Sequence, residues 1–429
     1  MPQKKENFLL DFKTNLPEES KIKILYLVHQ FYPYYFSGTE KFVYHMATCM
    51  QKQGHQVKVV TFAFKENLGN SKKEGNLLTE RYMYNGIPVI SFGYEKIRAD
   101  VHYQVDNQEM KRFTEKLLSE EKPDVIHAGH LMRVFDILKS AKMKSIPYIV
   151  TLTDFWALCF RGILVDSNLD LCTGPKETEK CVRRCPHLPQ EIIDFRLKET
   201  RELLKGAKAV CSPTNFLANI YMNAIPALNI KVIELGLKIG KVIDNQKRME
   251  KGDPVTFMFG GTWLPHKGLS VLLKAFGKVK SDKAVLNIYG AGPDAAYNDL
   301  VINSAKKDKR IQIKGVFCEE DLPMIFRESD CSVVPSIWWE NSPYMMKEAL
   351  AYNVPVIATN VNGLTEYVKD GFNGFTFRLG DSWHLREVME RIVNDPQLLN
   401  MMKGNLAKYI MPTVEEEAYA YEKLYISRM

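Results

Sequence analysis

Short apolar segments alternate with amphipathic segments along nearly the whole chain, and this alternation limits the fold more than any other feature. In the first unit, an apolar segment from Ile22 to Val28 precedes a loop, and the apolar residues between Phe42 and Met50 recur at helical spacing. Gly54 ends this helix, and another apolar segment follows. Such βα units are typical of parallel sheets that helices cover on both faces. The sequence therefore predicts an α/β fold.

Two sets of predicted strands are separated by a polar, charged stretch from Lys238 to Asp253. The chain has 429 residues, too many for one hydrophobic core and suited to two domains of about 200 residues each. We predict one domain at residues 1–236 and a second at 237–412, followed by a helix within 413–429. The predicted strands are Ile22–Val28, Val57–Phe62, Val89–Phe92, Val125–Ile126, Tyr148–Leu152, Ala209–Cys211 and Val232–Glu234, then Val255–Phe259, Ala284–Tyr289, Ile311–Lys314, Cys331–Val334 and Val356–Thr359.

The composition is that of an ordinary globular protein, with 45% hydrophobic and 25% charged residues. This composition excludes a disordered or fibrous chain. No apolar run reaches the roughly 18–20 residues that a membrane span needs. The first twenty residues are charged and lack the apolar core of a secretory signal. We therefore expect a cytoplasmic protein.

The net charge of +7 is unevenly distributed along the chain. Up to Gly236 there are 33 Lys and Arg against 27 Asp and Glu, and after it 25 against 24. A basic first half suits an anionic acceptor or the inner face of a membrane, but a slightly biased solvated surface explains the same numbers. No basic run is dense enough to indicate nucleic-acid binding.

Four of the eight cysteines lie close together in the sequence, at Cys159, Cys172, Cys181 and Cys185. Disulfides are rare in cytoplasmic proteins, so we expect reduced thiols. The spacing resembles that of metal ligands only loosely. Two interpretations follow: a structural zinc ion, or four free thiols in a long loop.

Three loops stand between predicted strands and helices, where doubly wound sheets bind ligands. In the first, Ser37 to Glu40, Gly38 allows close approach to the backbone, and the helix N-terminus offers N–H groups to an anion. The second, Gly260 to Gly268, combines paired glycines with Lys267, which suits a diphosphate. Its spacing is not that of a P-loop. Each loop alone is a weak signal, because glycines also serve ordinary turns.

The third loop runs from Trp338 to Glu348 and holds two glutamates eight residues apart. Ser342 and Pro343 are predicted to be the N-cap and first residue of a helix. Glu340 then lies in the loop and Glu348 inside the helix, about 7–8 Å further along its axis. A sugar could meet Glu340 and ribose hydroxyls could meet Glu348. Two solvated glutamates are the alternative for any such pair in isolation.

Two sequence motifs of other nucleotide-binding enzymes are incomplete or absent in this chain. The loop from Gly290 to Ala295 imitates a dinucleotide fingerprint, but Pro293 interrupts it and the following strand ends without the acidic residue that holds a ribose. No two aspartates stand at positions i and i+2, so there is no short Asp-x-Asp clamp for a metal-bound diphosphate. Charge neutralisation by Lys267 and backbone amides is the remaining interpretation.

These residues, taken together, resemble glycosyltransferase family 4 over nearly the whole chain from about Lys21. The eight-apart glutamate pair is the most specific part of the resemblance. The matching segments are Phe31-Tyr32-Pro33 with Ser37-Gly38-Thr39-Glu40, Gly54-His55-Gln56-Val57, Pro123 to Ala128, Gly261 to Gly268, Asp330 to Ser336 continuing into Glu340 to Glu348, Pro355 to Ala358, Asn362 to Glu366, and Asp370 to Gly374.

The resemblance implies a GT-B fold: two Rossmann-like domains that face a cleft, with the last helix crossing back to the first domain. It also implies metal-independent transfer of a sugar from a nucleoside-diphosphate sugar, with retention at the anomeric carbon and no cofactor. Glu348 looks like the ribose ligand, Glu340 like the residue that meets the donor sugar, and Lys267 like the residue that neutralises the diphosphate. The implied donor-binding residues are Gly38, Gly261, Thr262, Lys267, Asn341, Ser342, Tyr344 and Glu348, and Asp154 is implied on the acceptor side.

Two positions depart from the family pattern. Thr262 stands where family members usually carry Arg, so the diphosphate depends more heavily on Lys267. Thr153 stands where many members have His before Asp154, and a hydroxyl cannot act as a general base at neutral pH. Retaining transfer can use the leaving phosphate oxygen as the base instead, so neither change excludes activity.

The expected acceptor is a saccharide or a lipid-linked saccharide, as in cell-envelope polysaccharide synthesis. The segment from Phe92 to Tyr103 mixes aromatic and basic residues, which favours peripheral contact with a membrane. Two alternatives remain open at this point. One is a sugar-nucleotide epimerase or isomerase of the same architecture, and the other is a sugar-nucleotide-binding protein without turnover.

Overall fold

The computed structural model of the chain describes residues 21–175, 178–238, 247–408 and 410–427. Part of the polar stretch between the two predicted domains lies outside these residues. In the described residues the strands form two separate sheets, one on each side of that stretch. The sheets confirm the predicted α/β class, while the boundary at residues 236 and 237 stays a prediction.

The first sheet has nine strands in the described residues, in the order β3-β4-β5-β2-β1-β6-β7-β8-β9. All neighbours are parallel except the two pairs that contain β4. The strands are β1 Lys23–Val28, β2 Gln56–Phe62, β3 Lys72–Glu74, β4 Leu77–Tyr84, β5 Ile87–Tyr94, β6 Val125–Ala128, β7 Tyr148–Thr151, β8 Ala209–Ser212 and β9 Ile230–Val232.

The second sheet is parallel throughout and has six strands in the described residues, in the order β12-β11-β10-β13-β14-β15. In both sheets the order reverses beside the first strand, which places a crevice for ligands at the carboxyl ends of the central strands. The strands are β10 Val255–Gly260, β11 Ala284–Tyr289, β12 Ile311–Gly315, β13 Cys331–Val334, β14 Val356–Thr359 and β15 Gly374–Phe377.

Helices cover both sheets, as the βα alternation predicts. None of the described helices is both long enough and apolar enough to span a membrane. The helices are α1 Gly38–Lys52, α2 Met110–Glu121, α3 Phe135–Met143, α4 Thr178–Arg184, α5 Gln190–Lys205, α6 Asn215–Ala224, α7 Leu269–Phe276, α8 Ala295–Ala305, α9 Leu322–Arg327, α10 Tyr344–Ala351, α11 Ser382–Asn394, α12 Leu398–Leu406 and α13 Val414–Ile426.

The last helix, α13, returns to the first sheet. The Tyr425 hydroxyl lies 3.1 Å from the Tyr26 hydroxyl and 2.6 Å from Nδ1 of His127, both buried on the first sheet. About two turns earlier, Glu417 is buried and its Oε2 accepts the backbone N–H of Gly236 at 2.8 Å. These contacts confirm the predicted crossing helix.

Two parts of the first sheet differ from the sequence prediction. The last strand is Ile230–Val232 rather than Val232–Glu234, because the residues that pair with β8 run from Ile230 to Val232. The antiparallel hairpin of β4 and β5 was not predicted. Its turn is Asn85-Gly86, with φ of 45° and 81°, and Asn-Gly is a strong signal for such a hairpin turn.

Candidate active site

An ion pair at the carboxyl ends of the second sheet forms the centre of the site. Nζ of Lys267 lies 2.8 Å from Oε1 of Glu340, whose side chain is only 4% exposed. The same oxygen accepts a hydrogen bond of 2.6 Å from the hydroxyl of Ser336. The Lys267 ammonium also lies 4.7 Å from the centre of the Trp338 ring. The structure therefore brings together two residues that the sequence assigned to separate loops.

Two glycines allow the loops to approach this closely. Gly268 has φ of +74°, and a Cβ there would lie 1.8 Å from the carbonyl oxygen of Pro335. Gly363 has φ of +89°, and its Cβ would lie 1.7 Å from the carbonyl oxygen of Glu340. Any larger residue at either position would push the loops apart. Backbone geometry therefore fixes where Glu340 and Lys267 meet.

Charge and burial shift the pKa of Glu340 in opposite directions. Burial alone would raise the pKa of Glu340, but the Lys267 charge and the hydrogen bonds from Lys267 and Ser336 hold it below the usual value. Burial and the neighbouring Lys267 lower the pKa of His266 to about 4. At neutral pH, Glu340 is thus a carboxylate and His266 is neutral. An ionised Glu340 suits contact with sugar hydroxyls or with positive charge at an anomeric carbon.

The glycine-rich loop before α7 presents its backbone openly. Gly261 has φ of +142°, and a Cβ there would have no atom within 4 Å. Thr262 is exposed, so it neither blocks this loop nor fills it. The Trp263 N–H donates to the Ala291 carbonyl at 3.0 Å and holds the loop against the next one. The predicted diphosphate loop therefore stays open on the side of Gly261 and Thr262.

The helix after Glu340 begins later than predicted. Pro343 precedes the first residue, Tyr344, so Ser342 is not the N-cap. The Ser342 side chain instead lies 3.3 Å from the Tyr367 hydroxyl. The prediction of a Ser342 cap was wrong, because the extended Pro343 backbone, with φ of −68° and ψ of 121°, places the helix start one residue further on.

Residues of the first domain contact this helix and the loop before it across the cleft. Gly38 packs on Tyr344, and a Cβ at Gly38 would lie 3.3 Å from Cδ2 of the Tyr344 ring. Nδ2 of Asn341 donates to the Thr153 carbonyl at 2.8 Å. Nζ of Lys41 lies 2.5 Å from Oε1 of Glu348. The sequence reasoning did not find Lys41, although its position directly after Glu40 in the first predicted loop is a signal.

Asp154 lies on the opposite wall with a partner that the sequence reasoning also missed. Its Oδ2 lies 2.8 Å from Nε2 of His130, and its Oδ1 accepts the Trp156 N–H at 2.8 Å. Nδ1 of His130 accepts the Met132 N–H at 3.0 Å, so Nε2 carries the proton that His130 donates to Asp154. Thr153, at the position where a histidine is usual, donates to the Gly129 carbonyl at 2.9 Å. His130 thus supplies an imidazole from another loop.

The sequence left two interpretations of Cys159, Cys172, Cys181 and Cys185, a structural zinc ion and four free thiols, and the zinc ion stays a prediction. Among the residues that the structure describes, no three His, Cys, Asp or Glu side chains are placed to hold a metal ion. Cys159 and Cys172 pack against one apolar cluster and Cys181 against another, and all are free thiols. Burial and the other three cysteines raise the pKa of Cys181 to about 11.

Most of the predicted site residues line the cleft between the two sheets. Its second-domain side carries Lys267, Glu340, Asn341, Tyr344 and Glu348. Gly38 and Asp154 lie on the first-domain side. The individual roles of these residues stay predictions.

Two protein families match consecutive segments of the chain. Residues 36–240 match the family described as Glycosyltransferase Family 4, and residues 241–409 match Glycosyl transferases group 1. Two facing α/β domains with a crossing helix define a GT-B glycosyltransferase. The chain belongs to glycosyltransferase family 4.

Characterised relatives share about a quarter of aligned residues. A galactosyltransferase of Escherichia coli, UDP-Gal:alpha-D-GlcNAc-diphosphoundecaprenol alpha-1,3-galactosyltransferase, is 24% identical over 69% of this chain and 73% of its own length. Lipopolysaccharide 1,2-N-acetylglucosaminetransferase of Salmonella typhimurium is 24% identical over 45% of this chain and 53% of its own length.

Solved structures share the fold. The Anabaena protein HepE, in complex with UDP and glucose, has a TM-score of 0.67 at 17% identity and covers 95% of this chain and 100% of its own. WaaG, a glycosyltransferase involved in lipopolysaccharide biosynthesis, has a TM-score of 0.64 at 13% identity over 94% of this chain and 99% of its own. These likenesses confirm the GT-B fold.

Proposed function

We propose that this glycosyltransferase moves a sugar from a nucleoside-diphosphate sugar to a lipid-linked saccharide, with retention at the anomeric carbon and without a catalytic metal ion or other cofactor. The observation that carries the proposal is the buried Lys267–Glu340 pair beside the open backbone of Gly261. The pair supports the proposal because a sugar diphosphate carries negative charge that a lysine can neutralise and sugar hydroxyls whose hydrogen bonds a carboxylate can accept.

The pair suits a reaction in which charge separates. As the bond between the anomeric carbon and the diphosphate oxygen breaks, the leaving group gains negative charge and the sugar gains positive charge. Lys267 would stabilise the first and Glu340 the second. In the resting site the two residues neutralise each other, so neither leaves an unpaired buried charge. Lys267 is 27% exposed and can reach a ligand without leaving Glu340.

The acceptor proton goes to the leaving diphosphate in this proposal. The acceptor oxygen bonds to the anomeric carbon on the face that the diphosphate leaves, and its proton passes to a diphosphate oxygen. Both carboxylate oxygens of Asp154 already accept protein hydrogen bonds, from His130 and from the Trp156 N–H. Asp154 is therefore better suited to orient an acceptor hydroxyl than to remove its proton.

A lipid-linked acceptor is favoured by the relatives and by the charge of the first half of the chain. The Escherichia coli relative is named for transfer to a diphosphoundecaprenol-linked sugar. The surplus of basic residues before Gly236 suits the anionic surface where such a lipid lies. At low salt, where attraction is greatest, the protein should float with anionic liposomes and not with neutral ones. Recovery in the unbound fraction with both would remove membrane contact from the proposal.

The proposal is tested with a panel of UDP-, GDP- and ADP-sugars, each incubated with and without a polyprenyl-diphosphate-linked saccharide. We expect one donor to release nucleoside diphosphate much faster when the acceptor is present. An epimerised donor without transfer would indicate the epimerase alternative. Donor binding without turnover on any acceptor would indicate a binding protein.

A further inference from the structure

Lys41 of the first domain binds two carboxylates of the second. Its Nζ lies 2.5 Å from Oε1 of Glu348 and 2.8 Å from Oε1 of Glu319. The side chains are 16%, 7% and 25% exposed, respectively, so this cluster is shielded from bulk water. Shielding makes such an ion pair stronger than a surface pair.

The position of Lys41 is fixed on both sides. On its own side, Ser37 and Glu40 form a capping box at the start of α1, which sets the first turn of the helix. On the other side, the ammonium lies 4.9 Å from the centre of the Tyr344 ring, one turn before Glu348 in α10. Lys41 is therefore held in place where it meets Glu348.

The charges around Lys41 are complementary. Burial alone would lower the pKa of Lys41, but Glu348 and Glu319 raise it overall. Burial alone would raise the pKa of Glu319, but hydrogen bonds and charges from His45 and Lys41 lower it to about 2. Lys41 and Glu319 are thus both ionised at neutral pH. Lys238 adds a further cation 3.6 Å from Glu319.

Glu348 uses only one of its two oxygens in this cluster. Lys41 binds Oε1, and within the described part of the chain no hydrogen bond reaches Oε2. A carboxylate can accept hydrogen bonds at both oxygens. Oε2 is therefore available to the vicinal hydroxyls of a ribose.

We infer that Lys41 is a positioning residue that holds Glu348 by Oε1 so that Oε2 faces the ribose of the donor nucleotide. The inference rests on the proposed function and adds a first-domain residue to a ribose site that the family resemblance places on Glu348 alone. Because Lys41 and Glu348 belong to different domains, ribose recognition then requires the closed cleft.

The test compares binding of a nucleoside diphosphate with binding of its 2′,3′-dideoxy analogue by calorimetry. UDP, GDP and ADP are measured first, and the tightest is used. In the wild type, loss of the two hydroxyls should weaken binding about tenfold or more. In Lys41→Met the difference should fall to about twofold, while Lys41→Arg should retain most of it.

Two controls separate this role from a general loss of structure. The quantity compared is the ratio of two dissociation constants, that of the dideoxy analogue to that of the nucleoside diphosphate. Lys52→Met changes an exposed lysine on the same helix and should leave this ratio unchanged. Glu348→Gln should also reduce the ratio, and adding Lys41→Met to it should change the ratio little further, because both residues act through one carboxylate.

The ratio of the two dissociation constants in Lys41→Met tests the positioning role of Lys41. A wild-type ratio in Lys41→Met, or equal weakening of both nucleotides as a direct phosphate contact would give, overturns the positioning role. If the wild type binds none of the three nucleotides, the proposed function fails and the inference fails with it. Nucleotide binding that keeps its ribose preference in Lys41→Met leaves the function standing and removes only the role of Lys41.

Discussion

Replacing Lys267 by Met should reverse the effect of pH on the contribution of Glu340 to stability. In the wild type, Lys267 holds the pKa of Glu340 below 4.5 against the opposing effect of burial. Without the ammonium, burial remains and the pKa of Glu340 should rise above 4.5. The variant thus converts a stabilised carboxylate into a buried acid that resists ionisation.

The sign of the pH dependence follows from linkage. A depressed pKa in the folded protein contributes stability above the unfolded pKa of about 4.5, and this contribution is lost as pH falls through the folded value. A raised pKa makes the folded protein keep a proton that the unfolded chain releases, so stability falls as pH rises above about 4.5. Lys267→Met should therefore lose more stability at pH 8 than at pH 5.

The structure sets the magnitude. Removing one partner of a buried ion pair costs about 3–5 kcal/mol. Ser336 still donates to Glu340, and the Lys267 side is partly open to water, so we expect about 2–3 kcal/mol at pH 8 and about 1 kcal/mol at pH 5. For domains of this size that corresponds to a melting temperature lower by about 4–12 °C at pH 8.

Thermal unfolding followed by circular dichroism at both pH values measures the effect. Lys274→Met, at an exposed lysine on α7, is the matched control and should unfold like the wild type. The double variant Lys267→Met with Glu340→Gln should recover most of the stability at pH 8 and remain inactive. An equal loss at both pH values, or no loss at pH 8, would refute the coupling of Glu340 to Lys267.

Three further predictions concern the donor, the crossing helix and metals. Glu348→Ala should chiefly raise the KM for the donor, by about 5- to 150-fold for lost ribose hydrogen bonds of about 1–3 kcal/mol. Glu320→Ala, at an exposed glutamate next to Glu319 in the sequence, should leave this KM unchanged, and a fall in kcat alone would contradict the ribose role of Glu348. Burial raises the pKa of Glu417 to about 8, so the contribution of Glu417 to wild-type stability should decline as pH rises from about 4.5 to 8. In denaturant titrations at several pH values, Glu417→Gln should remove that decline, and Glu415→Gln, at an exposed site, should keep it. Activity should persist in excess chelator, and restoration of a lost activity by magnesium or manganese would contradict metal independence.

The fold was predictable because strand and helix periods differ along the whole chain. Ala284–Tyr289, Cys331–Val334 and Val356–Thr359 are strands with the predicted bounds, since buried parallel strands consist of short apolar runs. The edge strand Lys72–Glu74 has no apolar residue and is exposed throughout. It pairs with β4 of the neighbouring hairpin, and no hydrophobic pattern within Lys72–Glu74 marks this pairing.

The candidate site was predictable only in part, because loops determine it. The sequence placed Glu340 and Lys267 in separate loops, but their 2.8 Å contact depends on two close backbone approaches at Gly268 and Gly363. His130 was missed because its partner Asp154 lies 24 residues away, on the next strand's loop. Periodicity reports which face is buried, and it does not report which loops meet.

The anomeric configuration of the product tests the central claim most directly. With an α-linked nucleoside-diphosphate sugar as donor, the proton coupling constant at the anomeric carbon of the purified product distinguishes the two outcomes by nuclear magnetic resonance. Retention predicts an α-linked product whose formation matches nucleoside diphosphate release mole for mole. A β-linked product would contradict the use of the leaving diphosphate as base on the same face, and with it the roles given to Lys267 and Glu340.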